Sequence, residues 1–241
     1  MLKTAQLVPG TESPSGDGLT GALRCVIELQ DGTRRAAVLK RGPFGEIAAE
    51  AFSACLLIRW GLPVPQPHLV HEGASIAFAS SDAGYPSLKR RLSLADLPPG
   101  PARAEAERIA AAIAVSLPSA PLAAAADEAI QNVDRNLGNI LWDGASEAWI
   151  DHADALGNLR QPDANKLCAM SVISQTHTEF QRGAVAQALT IDRNAMNAAA
   201  QDMPAEIDGQ AFAVFVAARV TSLASTLLTR FPQPQDLLSG A

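Results

Sequence analysis

Apolar and polar residues alternate with two periods along this chain, and each change of period marks an element. After a short apolar start at Ala5 to Val8, residues 22–29 and 33–40 read as two strands joined by an Asp31-Gly32 turn. The second strand ends in Ala37-Val-Leu-Lys40. Residues 44–60 switch to helical spacing, with Ile47, Ala51, Ala54, Leu57 and Ile58 on one face and Glu46 and Glu50 four apart on another. Gly61 stops that helix, and the prolines of Gly61-Leu-Pro-Val-Pro65 prevent its resumption. Leu69-Val70 and residues 75–80 predict two further short strands around Glu72-Gly73. Residues 80–86 are turn formers and read as a hinge. An Ala-rich helix runs from Pro101 to about Leu117, a second starts near Pro121, and both use Pro at an early helical position. Beyond residue 163 the spacing predicts helices over 164–183, 185–201 and 207–230, divided at Arg182-Gly183 and Met203-Pro204. The last carries Phe212, Phe215, Val216, Val220, Leu223 and Leu227 at burial spacing, and the tail from Pro232 is expected to fray.

Between the Ala-rich helices and this helical end lies the stretch that holds chemistry. Asn132-Val-Asp-Arg-Asn-Leu-Gly-Asn139 reads as a loop, followed by two short apolar runs around Asp143-Gly144 and then by Asp151. An Asp-Gly pair between apolar runs predicts a hairpin, which returns Asp151 beside Asp134 and Asn139. Two carboxylates and an amide oxygen suit a hard cation such as Mg²⁺. Phosphoryl transfer uses such a set, with one carboxylate left to orient the attacking hydroxyl. The same octet also reads as a polar turn whose Asn and Asp cap backbone groups.

Asp-x-x-x-x-Asn, a hairpin and then Asp form the catalytic-loop and metal-loop pattern of the protein-kinase-like superfamily. The wording Asp134-Arg-Asn-Leu-Gly-Asn-Ile-Leu141 most resembles the HipA-like kinases and the phosphoinositide kinases. The resemblance implies an α+β, two-lobed protein-kinase-like fold. Residues 1–82 would be a small antiparallel-sheet N-lobe with one helix. Residues 83–241 would be a mainly helical C-lobe with the catalytic loop at 132–139 and the metal loop at 150–154. It further implies ATP and Mg²⁺ as cofactors, Asp134 as the catalytic carboxylate, and Asn139 and Asp151 as metal ligands. Lys40 would grip the non-transferred phosphates, held by a helix glutamate. In HipA-like sequences that residue stands about one helix length before Gly-Leu-x-x-Pro, which selects Glu50 over Glu46. Gly16-Asp-Gly18-Leu-Thr-Gly21, ahead of the hairpin, fits the phosphate loop, although such glycine runs mostly serve as turns. Asn136 is neutral, so Arg135 is the candidate for charge near the transferred phosphate, and Asp154 is a further candidate ligand. His152-Ala153 replaces the usual Phe-Gly and no His-Arg precedes Asp134, a departure from eukaryotic-type protein kinases.

Charge and composition narrow the partners. The 241 residues are 48% hydrophobic and carry a formal net charge of −6, which argues against a general nucleic-acid or anionic-membrane binder. Cys25, Cys55 and Cys168 are scattered and odd in number, so neither disulfides nor zinc are expected. With no signal-like start, the chain reads as cytoplasmic. Lys89-Arg90-Arg91 reads as solvated surface. The expectation is an ATP- and Mg²⁺-dependent kinase acting on protein Ser or Thr, or on its own Ser13 or Ser15. The alternatives are a small-molecule or lipid-headgroup kinase, suggested by the short segment 152–163, and a non-catalytic pseudokinase binding module. By analogy with HipA-type toxin–antitoxin pairs, the resemblance allows for an inhibitory partner protein.

Overall fold

A computed structural model describes residues 2–15, 21–73, 75–158 and 161–233. Strands β1 (Lys3–Leu7), β2 (Ser13–Pro14), β3 (Leu23–Leu29) and β4 (Arg34–Lys40) are followed by helix α1 (Phe44–Arg59), then β5 (Pro67–Glu72) and β6 (Ser75–Ser81). The β3–β4 hairpin forms at Asp31-Gly32, where Gly32 takes a left-handed φ of 79° and the Asp31 carboxylate accepts the Thr33 N–H. The sheet order is β1-β5-β6-β4-β3-β2, and β1 also pairs with β3, so five of the strands close on themselves. The pairing of β1 with β5 is parallel, which corrects the antiparallel expectation. The reason is local: only Ala5 of β1 is fully buried, so its side-chain pattern does not tell which strand it pairs with or in which direction.

The enclosed core is Ala5, Cys25, Ile27, Leu29, Ala37, Leu39, Val70, Ala77 and Ala79. Period-two alternation therefore puts Lys40 on the other side of the sheet from Ala37 and Leu39. Helix α1 covers that outer face, packing Ile47, Ala48, Ala51 and Ala54 on Leu69 and Phe78. Phe78 is the register partner of Lys40, so Lys40 emerges beside α1. A Schellman pattern ends the helix, with Gly61 N–H on the Ile58 carbonyl and Leu62 N–H on that of Leu57.

Helices follow: α2 (Leu88–Arg91), α3 (Pro101–Ser116) and α4 (Ala120–Ile130). A 3-10 turn at Leu137–Asn139 leads into the hairpin β7 (Ile140–Trp142) and β8 (Glu147–Trp149). The chain ends in α5 (Lys166–Ile173), α6 (His177–Thr190), α7 (Ala195–Gln201), α8 (Gly209–Val220) and α9 (Leu223–Thr229). Residues Ala120 and Ala123 to Ala126 of α4 are fully buried and let neighbours approach closely. One of the expected helix breaks shifts, while the one at Met203-Pro204 holds. Gly183 lies inside α6, where an added Cβ would stand 3.2 Å from Pro121, so this glycine serves close packing on α4. The break comes instead at Gln175, a non-glycine residue at φ 61° whose following N–H closes on the Ser171 carbonyl. The stretch 207–230 also divides, at Thr221-Ser222. Residues 234–241 lie outside the described set. Among the described residues no single helix is long and apolar enough to cross a membrane, and all three cysteines are buried free thiols.

Candidate active site

The β7–β8 hairpin does what its Asp143-Gly144 turn predicts: the Asp143 carboxylate accepts the N–H groups of Ala145 and Ser146, and the return strand delivers Asp151 beside the loop. Ile150 N–H donates to the Asn139 carbonyl at 3.1 Å, stitching the two segments together. Asp151 itself sits at φ 66°, a left-handed conformation that costs a non-glycine residue energy and is commonest at functional sites.

Lys40 Nζ donates to Glu50 Oε1 and to Asp151 Oδ1, the latter at 2.7 Å. Of the two candidate glutamates, Glu50 is therefore the one that pairs with Lys40. Glu50 is 2% exposed, and its other oxygen accepts the His152 N–H at 2.6 Å. The buried His152 ring brings Nδ1 to 3.5 Å from that oxygen. The His152 backbone N–H thus ties the Asp151 segment to α1. Burial alone would lower the Lys40 pKa, but the charges of Glu50 and Asp151 outweigh it and raise it above the ordinary lysine value. Burial likewise works against the Glu50 carboxylate, and the Lys40 charge overcomes it to hold Glu50 well below the usual range.

Asp134 Oδ1 accepts from Gln161 Nε2 at 2.6 Å and from Lys166 Nζ at 3.1 Å. Asn139, 7% exposed, donates Nδ2 to the Asp134 carbonyl at 3.0 Å, which leaves its Oδ1 for a cation. Asn136 also spends its amide locally, accepting from Gly138 N–H and donating to the Asp134 carbonyl. Asp154 borders this group. Burial first, then the charges of Asp134 and Asp151, push its carboxyl above the ordinary range.

Arg135 departs from the sequence reading. It is 0% exposed and donates through Nε and Nη2 to both oxygens of Asp127, each at 2.9 Å. Its Nη1 reaches the carbonyls of Asn139 and Ile150, and its guanidinium lies over the Trp149 ring. Buried, with each of its three guanidinium nitrogens bonded inward, it is not placed to contact a phosphate. It clamps the loop to the hairpin instead. Asp127 was not singled out by the sequence, nor were Gln161 and Lys166. A signal existed for Lys166: a cation in the first turn of a helix opposes the dipole and calls for a partner.

The structure brings Lys40, Glu50, Asp134, Asn139 and Asp151 to one site. Gly21 takes a left-handed φ of 66°, while Gly16 and Gly18 lie outside the described residues. Among the described residues no three His, Cys, Asp or Glu side chains form a metal cage by themselves. That is compatible with Mg²⁺, which keeps waters and takes phosphate oxygens alongside one or two protein ligands.

No protein-family model and no curated protein matches this chain. Solved structures do. The fold is similar to the Helicobacter pylori proinflammatory kinase CtkA, with a TM-score of 0.59 and 14% identity, covering 94% of this chain and 95% of that one. It is also similar to the toxin–antitoxin complex of HipA, HipB and operator DNA from Shewanella oneidensis MR-1. There the TM-score is 0.56 and the identity 12%, over 92% of this chain and 66% of that one. The chain thus has a HipA-like, kinase-like fold.

Proposed function

We propose that this chain is an ATP- and Mg²⁺-dependent phosphotransferase of HipA-like type that phosphorylates Ser or Thr hydroxyls of a protein, its own included. One observation carries the reading: Lys40, Glu50 and Asp151 form a continuous ion-paired chain, and the Ile150 N–H joins the Asp151 segment to Asn139, which bonds to Asp134. Residues 1–82 and 83–241 act as two lobes with the nucleotide between them. Lys40, held by Glu50, binds the non-transferred phosphates. Asn139 through Oδ1 and Asp151 through its carboxylate are hard donors that fit Mg²⁺ and would hold it. When bound, that ion neutralises charge on the phosphate oxygens. Asp134 orients the acceptor hydroxyl and receives its proton. The pairing of HipA with HipB supports a protein partner for this chain as well, inhibitory by analogy.

Thermal unfolding with and without ATP and Mg²⁺ tests this. Ligand at about 100 times its dissociation constant should stabilise the wild type by about 2.7 kcal/mol. For a domain of this size the midpoint then rises by roughly 5–10 °C. Asp151→Asn should abolish the magnesium-dependent part. No rise in the wild type would overturn the reading, and a following screen of protein against metabolite hydroxyls identifies the acceptor class.

A further inference from the structure

We propose that Lys166 is a catalytic residue that contacts the phosphoryl group in transfer, a role that rests on the phosphotransferase reading above. The need is electrostatic. In the transition state negative charge spreads over the three equatorial phosphoryl oxygens, and a preorganised cation nearby is worth far more in a partly dehydrated cleft than in water. Glu50, Asp134, Asp151 and Asp154 already make this cleft acidic, and Lys40 is committed to Glu50 and Asp151 on its far side. Next to Asp134 in sequence, Arg135 is buried with all three guanidinium nitrogens bonded inward, and Asn136 is neutral and capping.

Among the described residues, Lys166 fills that gap from α5. Its Nζ lies 3.1 Å from Asp134 Oδ1, and its other partner is the neutral Gln161 Oε1 at 2.8 Å. The side chain is 31% exposed, so it faces the cleft's solvent side and is not part of the core. Its backbone is fixed by the neighbouring Asn165, 5% exposed, which caps the Cys168 N–H and donates to the Ala124 carbonyl of α4 at 2.8 Å. A lysine at the first residue of α5 faces an unfavourable dipole, so helix stability does not account for it.

The division of the Asp134 carboxylate gives the geometry. Oδ1 is taken by Gln161 and Lys166, and Oδ2 has no hydrogen bond among the described residues. A Ser or Thr hydroxyl on Oδ2 therefore lies on the flank that Lys166 already occupies. As the hydroxyl oxygen bonds to the terminal phosphorus, the bond from phosphorus to the bridging oxygen breaks and ADP leaves with that electron pair. The hydroxyl proton passes to Oδ2. Lys166 Nζ stays protonated and shifts from Oδ1 onto a phosphoryl oxygen.

The test is binding of ADP with Mg²⁺, alone and with fluoroaluminate, a mimic of the planar phosphoryl group. It uses the full chain as wild type, Lys166→Met and Lys166→Arg. In the wild type fluoroaluminate should tighten ADP binding by at least about tenfold. Lys166→Met should bind ADP alone as the wild type does and lose that gain, and Lys166→Arg should keep part of it. With dephosphorylated casein as acceptor, Lys166→Met should lower kcat by about 10²–10³, the cost of removing one charge-stabilising donor, with little change in KM for ATP. A retained fluoroaluminate gain in Lys166→Met overturns the proposal, whatever happens to kcat, because Lys166 then only positions Asp134. A wild type that gains nothing from fluoroaluminate while binding ADP and Mg²⁺ overturns it too. A wild type that binds neither ADP nor ATP fails at the earlier step and overturns the phosphotransferase reading itself. Should Lys166→Met not fold, Lys166→Gln carries the same comparison.

Discussion

Two polar clusters flank the same hairpin, and they differ in what they leave unspent. In the closed one, Arg135 meets Asp127, Asn132 completes the Asp127 shell at 2.9 Å, and two backbone carbonyls take the remaining guanidinium donor. In the open one, Lys40, Asp151, Asp134 and Lys166 stay between 17% and 31% exposed. The closed cluster turns charge into geometry: it fixes the carbonyls of Asn139 and Ile150, and with them the Asn139 side chain and the start of the Asp151 bend. The open cluster keeps oxygen and ammonium groups that a ligand can still use. Asp134 and Arg135 are chain neighbours and belong to opposite clusters, so adjacency to a candidate catalytic residue does not confer a place in the open cluster.

The sharpest way to break this contrast is to remove one member of each. Arg135→Met leaves the buried Asp127 carboxylate uncompensated and two carbonyls without their donor. That should cost about 3–5 kcal/mol of stability with or without nucleotide. Asp134→Asn should do the reverse, lowering turnover by about 10²–10⁴. Its carboxylate is 27% exposed, so stability should move by less than about 1 kcal/mol. Urea unfolding and steady-state kinetics on both variants give the answer. A kinetically dead but fully stable Arg135→Met would mean that the closed cluster had been misread.

Lys40 sits between the extremes, because its partner Glu50 is buried while Lys40 is partly open. Lys40→Met should cost about 2–3 kcal/mol, below the range for a fully buried pair, and should abolish the stabilisation by ATP and Mg²⁺. The pH dependence has a definite sign. Glu50 is held below its unfolded value by Lys40, so its contribution is present above the ordinary glutamate range, near about 4.3, and is lost as pH falls through the lower folded value. Removing Lys40 lets burial dominate and lifts Glu50, so the variant should begin to lose charge-dependent stability at higher pH than the wild type. Urea midpoints from pH 7 to pH 4 check this, and parallel profiles for the two proteins would contradict it.

The sequence carried the open cluster better than the closed one, for physical reasons. Asp134, Asn139 and Asp151 are short polar side chains on turns whose signals, an Asp-Gly hairpin and a polar loop, are local. The strand end that carries Lys40 and the helix face that carries Glu46 and Glu50 were legible because both have fixed periods, while their pairing and the choice of Glu50 needed the resemblance. Arg135 was misjudged because nothing in its neighbours says which way a loop side chain turns. Its partner Asp127 lies eight residues upstream on a helix that reads as plain packing. Lys166 is likewise joined to Asp134 across 32 residues. The partners and direction of β1 escaped because it is held by backbone pairing to β5 and β3, with a single buried side chain for a pattern to detect. Gly183 misled because a packing glycine and a breaking glycine look the same in one sequence.

Trp149 offers the finest test. Its ring is fully buried beneath Arg135, and its indole N–H donates to the Ser119 hydroxyl at 2.7 Å, which itself bonds to Glu147. Trp149→Phe keeps an aromatic face for the guanidinium but removes the N–H donor and part of the ring volume. The expected loss is about 1–2 kcal/mol, the sum of one net hydrogen bond and a modest void. ADP affinity should be unchanged, since the indole bonds to Ser119 and lies against Arg135, both outside the open cluster. In double-mutant combination with Arg135→Met the losses should fall short of additive, because both act on one packed unit. Strict additivity would place Trp149 outside the closed cluster, and the clamp on Asp151 would then rest on the Asp127–Arg135 pair and its two carbonyl bonds.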